Sequence, residues 1–141
     1  MKTFFTTLVL FCILSCDVAQ DSSASADEAN IQGVWLAQTE SQNGIKKDVT
    51  FQYIFSGDTI TFIDENSKQM KYSFKLDTTG HLKLMTIQPL DTSVKTNPVS
   101  VGYELNGDSL KIVIAPPGLT PKELSDKNDQ ELIICKRKKS E

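Results

Sequence analysis

Histidine, tryptophan and arginine occur once each in the 141 residues, as His81, Trp35 and Arg137. A single histidine excludes a metal centre built on three imidazoles. His81 follows Gly80 at the edge of a strand-like run, with no nucleophile or orienting acid in a motif around it. It therefore reads as an exposed turn residue rather than a general base. Cys12, Cys16 and Cys135 are too few and too scattered for a disulfide framework or a cysteine-based metal site. The 7 glycines form no phosphate-binding loop and no nucleophile elbow, and no paired-carboxylate motif is present. Asp64-Glu65-Asn66 lacks the spacing of a calcium loop and reads as a polar turn. Basic residues number 15 against 18 acidic ones, a formal charge of −3, which argues against a nucleic-acid partner. Nothing here points to an enzyme, a cofactor or a metal.

What is present begins at the N-terminus. Lys2 precedes an apolar run from Phe4 to Leu14, followed by Ser15 and Cys16. About eleven apolar residues are too few to span a bilayer, which takes about twenty. Ile13-Leu14-Ser15-Cys16 resembles the lipobox of a bacterial lipoprotein signal. The resemblance implies a signal peptide over residues 1–15 and lipidation at Cys16. It also implies an exported, membrane-anchored lipoprotein of the bacterial cell envelope, with the membrane as partner through the N-terminal lipid. Residues 16–24 are small and polar and read as a flexible tether, leaving residues 25–141 as one domain. Cys135 then has no intramolecular partner; if Cys16 carries no lipid, a Cys16–Cys135 bridge stays open.

Ser25-Ala26-Asp27-Glu28 has the form of a capping box and predicts one helical turn ending near Asn30. From Gly33 onward the pattern has period two. The alternation predicts eight strands, near 33–40, 48–55, 59–64, 69–77, 81–88, 99–105, 109–115 and 131–137. Ser56-Gly57-Asp58 and Asn106-Gly107-Asp108 share one hairpin pattern, with glycine supplying the positive φ of a tight reversal. The pattern places Tyr53, Phe55, Phe62, Tyr72, Phe74, Val101, Tyr103, Ile112 and Ile114 inside. Thr50, Gln52, Thr61, Lys71, Ser73, Lys75, Glu104 and Lys111 fall outside. Leu82 and Leu84 flank Lys83 as an apolar pair in the run near 81–88. Pro116 and Pro117 end the seventh strand because neither donates to a ladder. Thr120-Pro121-Lys122-Glu123 predicts a helical turn near 121–125, lying over a barrel end. Short antiparallel strands joined mainly by tight turns favour an all-β, eight-stranded up-and-down barrel with short helical turns, since closure removes the sheet edges.

Gly33-Val34-Trp35 resembles the start of the first strand in lipocalins. With Tyr103-Glu104-Leu105-Asn106-Gly107-Asp108-Ser109-Leu110, Ala115-Pro116-Pro117-Gly118, Pro121 and the closing Lys136-Arg137, residues 31–137 are similar to an uncharacterised lipocalin-like family of secreted bacterial proteins abundant in planctomycetes. That family carries a basic residue where this chain has Thr120, so no anion-binding role transfers to the position. The resemblance implies a lipocalin- or calycin-like barrel and no reaction. It also implies that Arg137, near the end of the last strand, packs over Trp35 of the first and closes one barrel end, a cation over an indole face.

Two functional readings follow. In one, the barrel holds a small apolar ligand, with Tyr53, Phe55, Phe62, Tyr72, Phe74 and Tyr103 as pocket lining. In the other, those rings fill the barrel and the protein is a structural or interaction module of the envelope. The number of rings predicts a narrow or closed cavity rather than an open cup. Lys136-Arg137-Lys138-Lys139 reads as a solvated tail in preference to a phospholipid contact. Cys16→Ala is expected to release the protein from the membrane fraction or leave the precursor uncleaved. An unmodified N-terminus near Gln20, read by intact mass of the native protein, would contradict the anchor.

Overall fold

The computed structural model describes residues 22–140. The leader, the expected lipidation site at Cys16 and the first part of the tether lie outside the described residues. Helix α1 (Ser22–Asn30) is followed by β1 (Gly33–Gln42), β2 (Ile45–Asp48), β3 (Gln52–Ser56), β4 (Thr59–Ile63) and β5 (Gln69–Asp77). Then come β6 (Lys83–Pro89), β7 (Val99–Asn106), β8 (Ser109–Ile114) and β9 (Glu131–Arg137). All neighbouring strands are antiparallel, and β9 returns to pair with β1, so the sheet closes on itself.

The barrel has eight staves because β2 and β3 share one. The pattern predicts a single strand over 48–55. Instead β2 pairs with Thr39–Gln42 and β3 with Gly33–Leu36, on the same edge of β1. The break between them is bridged by Val49 N donating to the Gln38 carbonyl and Ala37 N donating to the Phe51 carbonyl. The cause lies across the ladder, where the β1–β9 register slips between Ala37 and Thr39 and leaves Gln38 as a bulge. Asn43-Gly44 adds a hairpin the predicted turns omit; both residues have positive φ, 50° and 81°, as a tight two-residue reversal requires.

The period-two face is realised. Phe55, Phe74, Val101, Tyr103 and Ile112 are buried, while Lys71, Lys75 and Glu104 are exposed. On the outer face Lys111 pairs with Glu104 at 2.7 Å. Strand β6 runs in the opposite phase to the one its leucines suggest. Met85 is fully buried and Ile87 packs against the core, whereas Leu82 lies against Gly102 on the outer side. Lys83 turns inward because Asp27 waits for its ammonium at 2.7 Å.

Two local expectations are corrected. The helix starts at Ser22, so Ser25 stands inside it rather than at its cap. A nine-residue helix is marginal alone; this one is tied to the barrel through Asp27. No helical turn forms at 121–125. Glu123 accepts the Ser125 hydroxyl instead of capping, and the carbonyls of both residues accept the side-chain amide of buried Gln130. This connection lies along the outside of the wall, not across a barrel end. The Lys122 carbonyl meets His81 Nε2 at 3.1 Å, and Val113 is fully buried although it faces away from the lumen.

Gly102 is the tightest point of that outer layer. A Cβ there would sit 2.6 Å from Val113 Cγ1 and 3.0 Å from Leu82 Cδ2. Val113 is β-branched and cannot swing aside freely. Gly102→Ala is therefore expected to cost about 1–3 kcal/mol, read as a lower urea midpoint at unchanged slope.

Candidate functional site

The two ends of the barrel differ in kind. At one end α1 crosses the opening beside the hairpins 56–59 and 106–109. Trp35 is fully buried there, and its indole N–H donates to the Ile31 carbonyl at 2.7 Å. The Arg137 guanidinium carbon lies 4.2 Å from the Trp35 ring centroid. The same group donates to the carbonyls of Gln32, at 2.6 Å, and Asn30, and its Nε lies 3.4 Å from Asp108. Those carbonyls belong to the last turn of α1 and the link after it, where a helix leaves acceptors without internal partners. Arginine answers them with a planar fork and places its charge at the negative end of the helix. Gly33 is needed at this point, since its φ is +113° and an added Cβ would stand 3.3 Å from the guanidinium.

Asp27, Lys83, Tyr103 and Gln32 further pin the helix and its following link over this end. Asp27 is buried, and one of its oxygens accepts both the Lys83 ammonium, at 2.7 Å, and the Tyr103 hydroxyl, at 2.8 Å. The Gln32 amide brackets the backbone of Gly57 in the β3–β4 turn, with contacts at 2.9 and 3.1 Å. Sequence reading missed Asp27, Lys83 and Gln32, because each acts through a partner at least 25 residues away.

The other end is open. It contains an apolar cavity of about 440 Å³, a volume within the usual range of small-molecule sites. Tyr53, Phe55, Phe62 and Tyr72 form one wall, from β3 to β5. Ile87, Val101, Ile112 and Ile114 form the opposite wall, from β6 to β8. Val94 and Val99 form the lip and are about half exposed, at 46% and 50%. The cavity exceeds the narrow or closed one expected from the count of rings. The aromatic residues pack together on one side: Phe55 meets Phe74 edge-to-face at 87°, and the ring centroids of Tyr53, Phe62 and Phe51 lie 5.3 to 5.7 Å apart. The smaller aliphatic side chains opposite do not reach them.

Of the six rings expected as lining, Phe74 and Tyr103 belong instead to the filled half. Phe74 backs Phe55, and Tyr103 is committed to Asp27. The lining includes Ile60, Met70 and Met85, which the expected set omits. Cys135 is fully buried, and burial pushes its thiol up to about 12, so it is not a nucleophile at neutral pH. His81 is exposed in its turn.

A pair of carboxyls beside the cavity was invisible in the sequence. Glu131 pairs with Gln42, and Glu40 with Ile133, on the inner face of β1 and β9. Burial, then the negative charge and hydrogen bond of Glu40, hold the Glu131 carboxyl above the ordinary carboxylate range. Lys47 forms an ion pair with Glu40 at 2.8 Å. Burial, reinforced by Cys135, Glu131 and Glu40, raises the Tyr53 phenol well above its usual value, so it stays a neutral hydroxyl. Parity counted from Trp35 predicts Thr39 and Ser41 inside; the Gln38 bulge exchanges them for Glu40 and Gln42.

The fold therefore defines a class, a closed eight-stranded antiparallel barrel plugged at one end and hollow at the other. Comparison of the chain with protein-family models, curated proteins and solved structures finds no match.

Arg137→Ala is expected to cost about 1–3 kcal/mol, from the lost ring contact and the carbonyls left without donors. Arg137→Lys is expected to recover less than half of that, because one ammonium cannot cover the ring and serve two carbonyls together. Denaturant unfolding of the two variants checks both.

Proposed function

We propose that this protein is a non-enzymatic, lipid-anchored protein of the cell envelope that holds a small apolar ligand in its barrel. The observation that carries the reading is the unfilled apolar cavity of about 440 Å³ at the open end. A core packs to native density and leaves few voids larger than a water molecule. A hollow of this size, lined by hydrocarbon and three hydroxyls (Tyr53, Tyr72 and Thr96), favours occupation by an apolar guest over a purely structural barrel. The half-exposed Val94 and Val99 give such a guest an apolar path across the lip. The anchor rests on Ile13-Leu14-Ser15-Cys16. The non-enzymatic part rests on the absence from the sequence of any nucleophile or acid–base motif.

Filling the cavity tests the reading. Val101 is buried and lines the hollow, so the ring introduced by Val101→Trp enters empty space rather than packed atoms. The variant is expected to fold with a thermal midpoint near that of the parent. It should bind an apolar fluorophore such as N-phenyl-1-naphthylamine at least about tenfold more weakly, roughly 1.4 kcal/mol. Equal binding by parent and variant would place the fluorophore elsewhere and remove the support.

A further inference from the structure

The inner surface of the barrel is not apolar all the way round. Two cross-strand rows run from the cavity wall to β1: Ile114, Glu131, Gln42, and Ile112, Ile133, Glu40. Directly paired residues of an antiparallel ladder put their side chains on the same face. Glu131 therefore stands on the lumen side next to Ile114, and Glu40 two strands from Ile112, both isoleucines being cavity wall. No lysine or arginine lines the cavity among the described residues. Resting on the ligand-binding reading above, we propose that the cavity takes an amphiphile whose polar end is a protonated amine, and disfavours one ending in a carboxylate.

The site is the void; the carboxyls decide which end-group it accepts. Facing Glu131 are Glu40 and Gln42 on β1, Lys47 on β2, Tyr53 on β3 and apolar Ile114 on β8. Lys47 is the one cation in this set, and it is already engaged by Glu40 at 2.8 Å with most of its side chain in solvent. A ligand carboxylate would meet two acidic groups and no free positive charge, a like-charge penalty that acts as selection against it. An ammonium would add to the charge of Lys47, the one counter-charge now acting on Glu131, and would offset both the burial and the repulsion that now favour its proton. The hydroxyls of Tyr53 and Tyr72 can accept from an amine or donate to an acid, so they do not set the sign.

The purified full chain, loaded with N-phenyl-1-naphthylamine, is titrated with dodecylamine, dodecanol and dodecanoate below their aggregation limits. Dodecylamine is expected to displace the fluorophore at a concentration at least about tenfold lower than dodecanoate, with dodecanol between them. Glu131→Gln, which keeps size and hydrogen bonding, should erase most of the amine preference and leave dodecanol unchanged. Dodecanoate binding as tightly as dodecylamine overturns the proposal while leaving the cavity as a binding site. An amine preference that survives in Glu131→Gln also overturns it. Binding of the fluorophore with no displacement by any of the three chains rejects the ligand-binding reading itself, and this inference with it. The comparison of the three chains on the unaltered protein decides the question even if the variant does not fold.

Discussion

The seam between the first and last strands is the constraint on which the rest of the molecule depends. A sheet of short strands exposes unpaired N–H and C=O groups at both edges, and only closure removes them. Here closure joins all of β9 to most of β1, from Trp35 opposite Arg137 to Gln42 opposite Glu131. One end of the seam is locked by the guanidinium over the indole and on the helix carbonyls. A cation over an aromatic face is worth about 0.5–2 kcal/mol. The larger consequence is geometric, since the same group fixes α1 across the opening and holds the β7–β8 turn through Asp108.

From that lock the interior divides into two halves with different physics. In the filled half Trp35, Tyr103, Leu110 and Cys135 are all within 1% of full burial, and Asp27, the one buried acid among the described residues, is satisfied by Lys83 and Tyr103. A buried carboxylate needs such partners, because losing one would strand a charge away from water. Gly33, Trp35, Tyr103, Asp108 and Arg137 all serve the plug. They explain how the barrel closes and do not bear on what it holds. The hollow half carries the aliphatic wall of β6 to β8 and the carboxyl pair at the seam's far end.

The far end owes its character to one extra residue. The bulge at Gln38 reverses the facing of everything beyond it on β1. Two acidic groups thereby meet on the inner face, where their repulsion and partial burial favour retention of a proton. The same bulge splits the neighbouring stave into β2 and β3 and draws Val49 into the core. A local irregularity in the ladder thus sets the polarity of the lumen more than any property of the carboxyls themselves.

The period of two, the Gly-Asp hairpins and the aromatic content of residues 33–137 were enough by themselves to determine an antiparallel barrel and the inward set from Tyr53 to Ile114. Each is a local property: alternation forces one face inward, and glycine permits the reversal. Other features were decided only in three dimensions. The phase of β6 was set by Asp27 capturing Lys83, against the leucines on either side. The path of residues 115–130 was set by Gln130 and His81, against a readable capping signal. The hollow itself depends on the distance between an aromatic wall and an aliphatic one, which no count of rings encodes. Glu40 became a lumen group through a register slip against a strand remote in the chain. The physical reason is common to all four: pairing energies and burial are summed across strands remote in sequence, and where a distant partner contributes more than the local preference, the local preference yields.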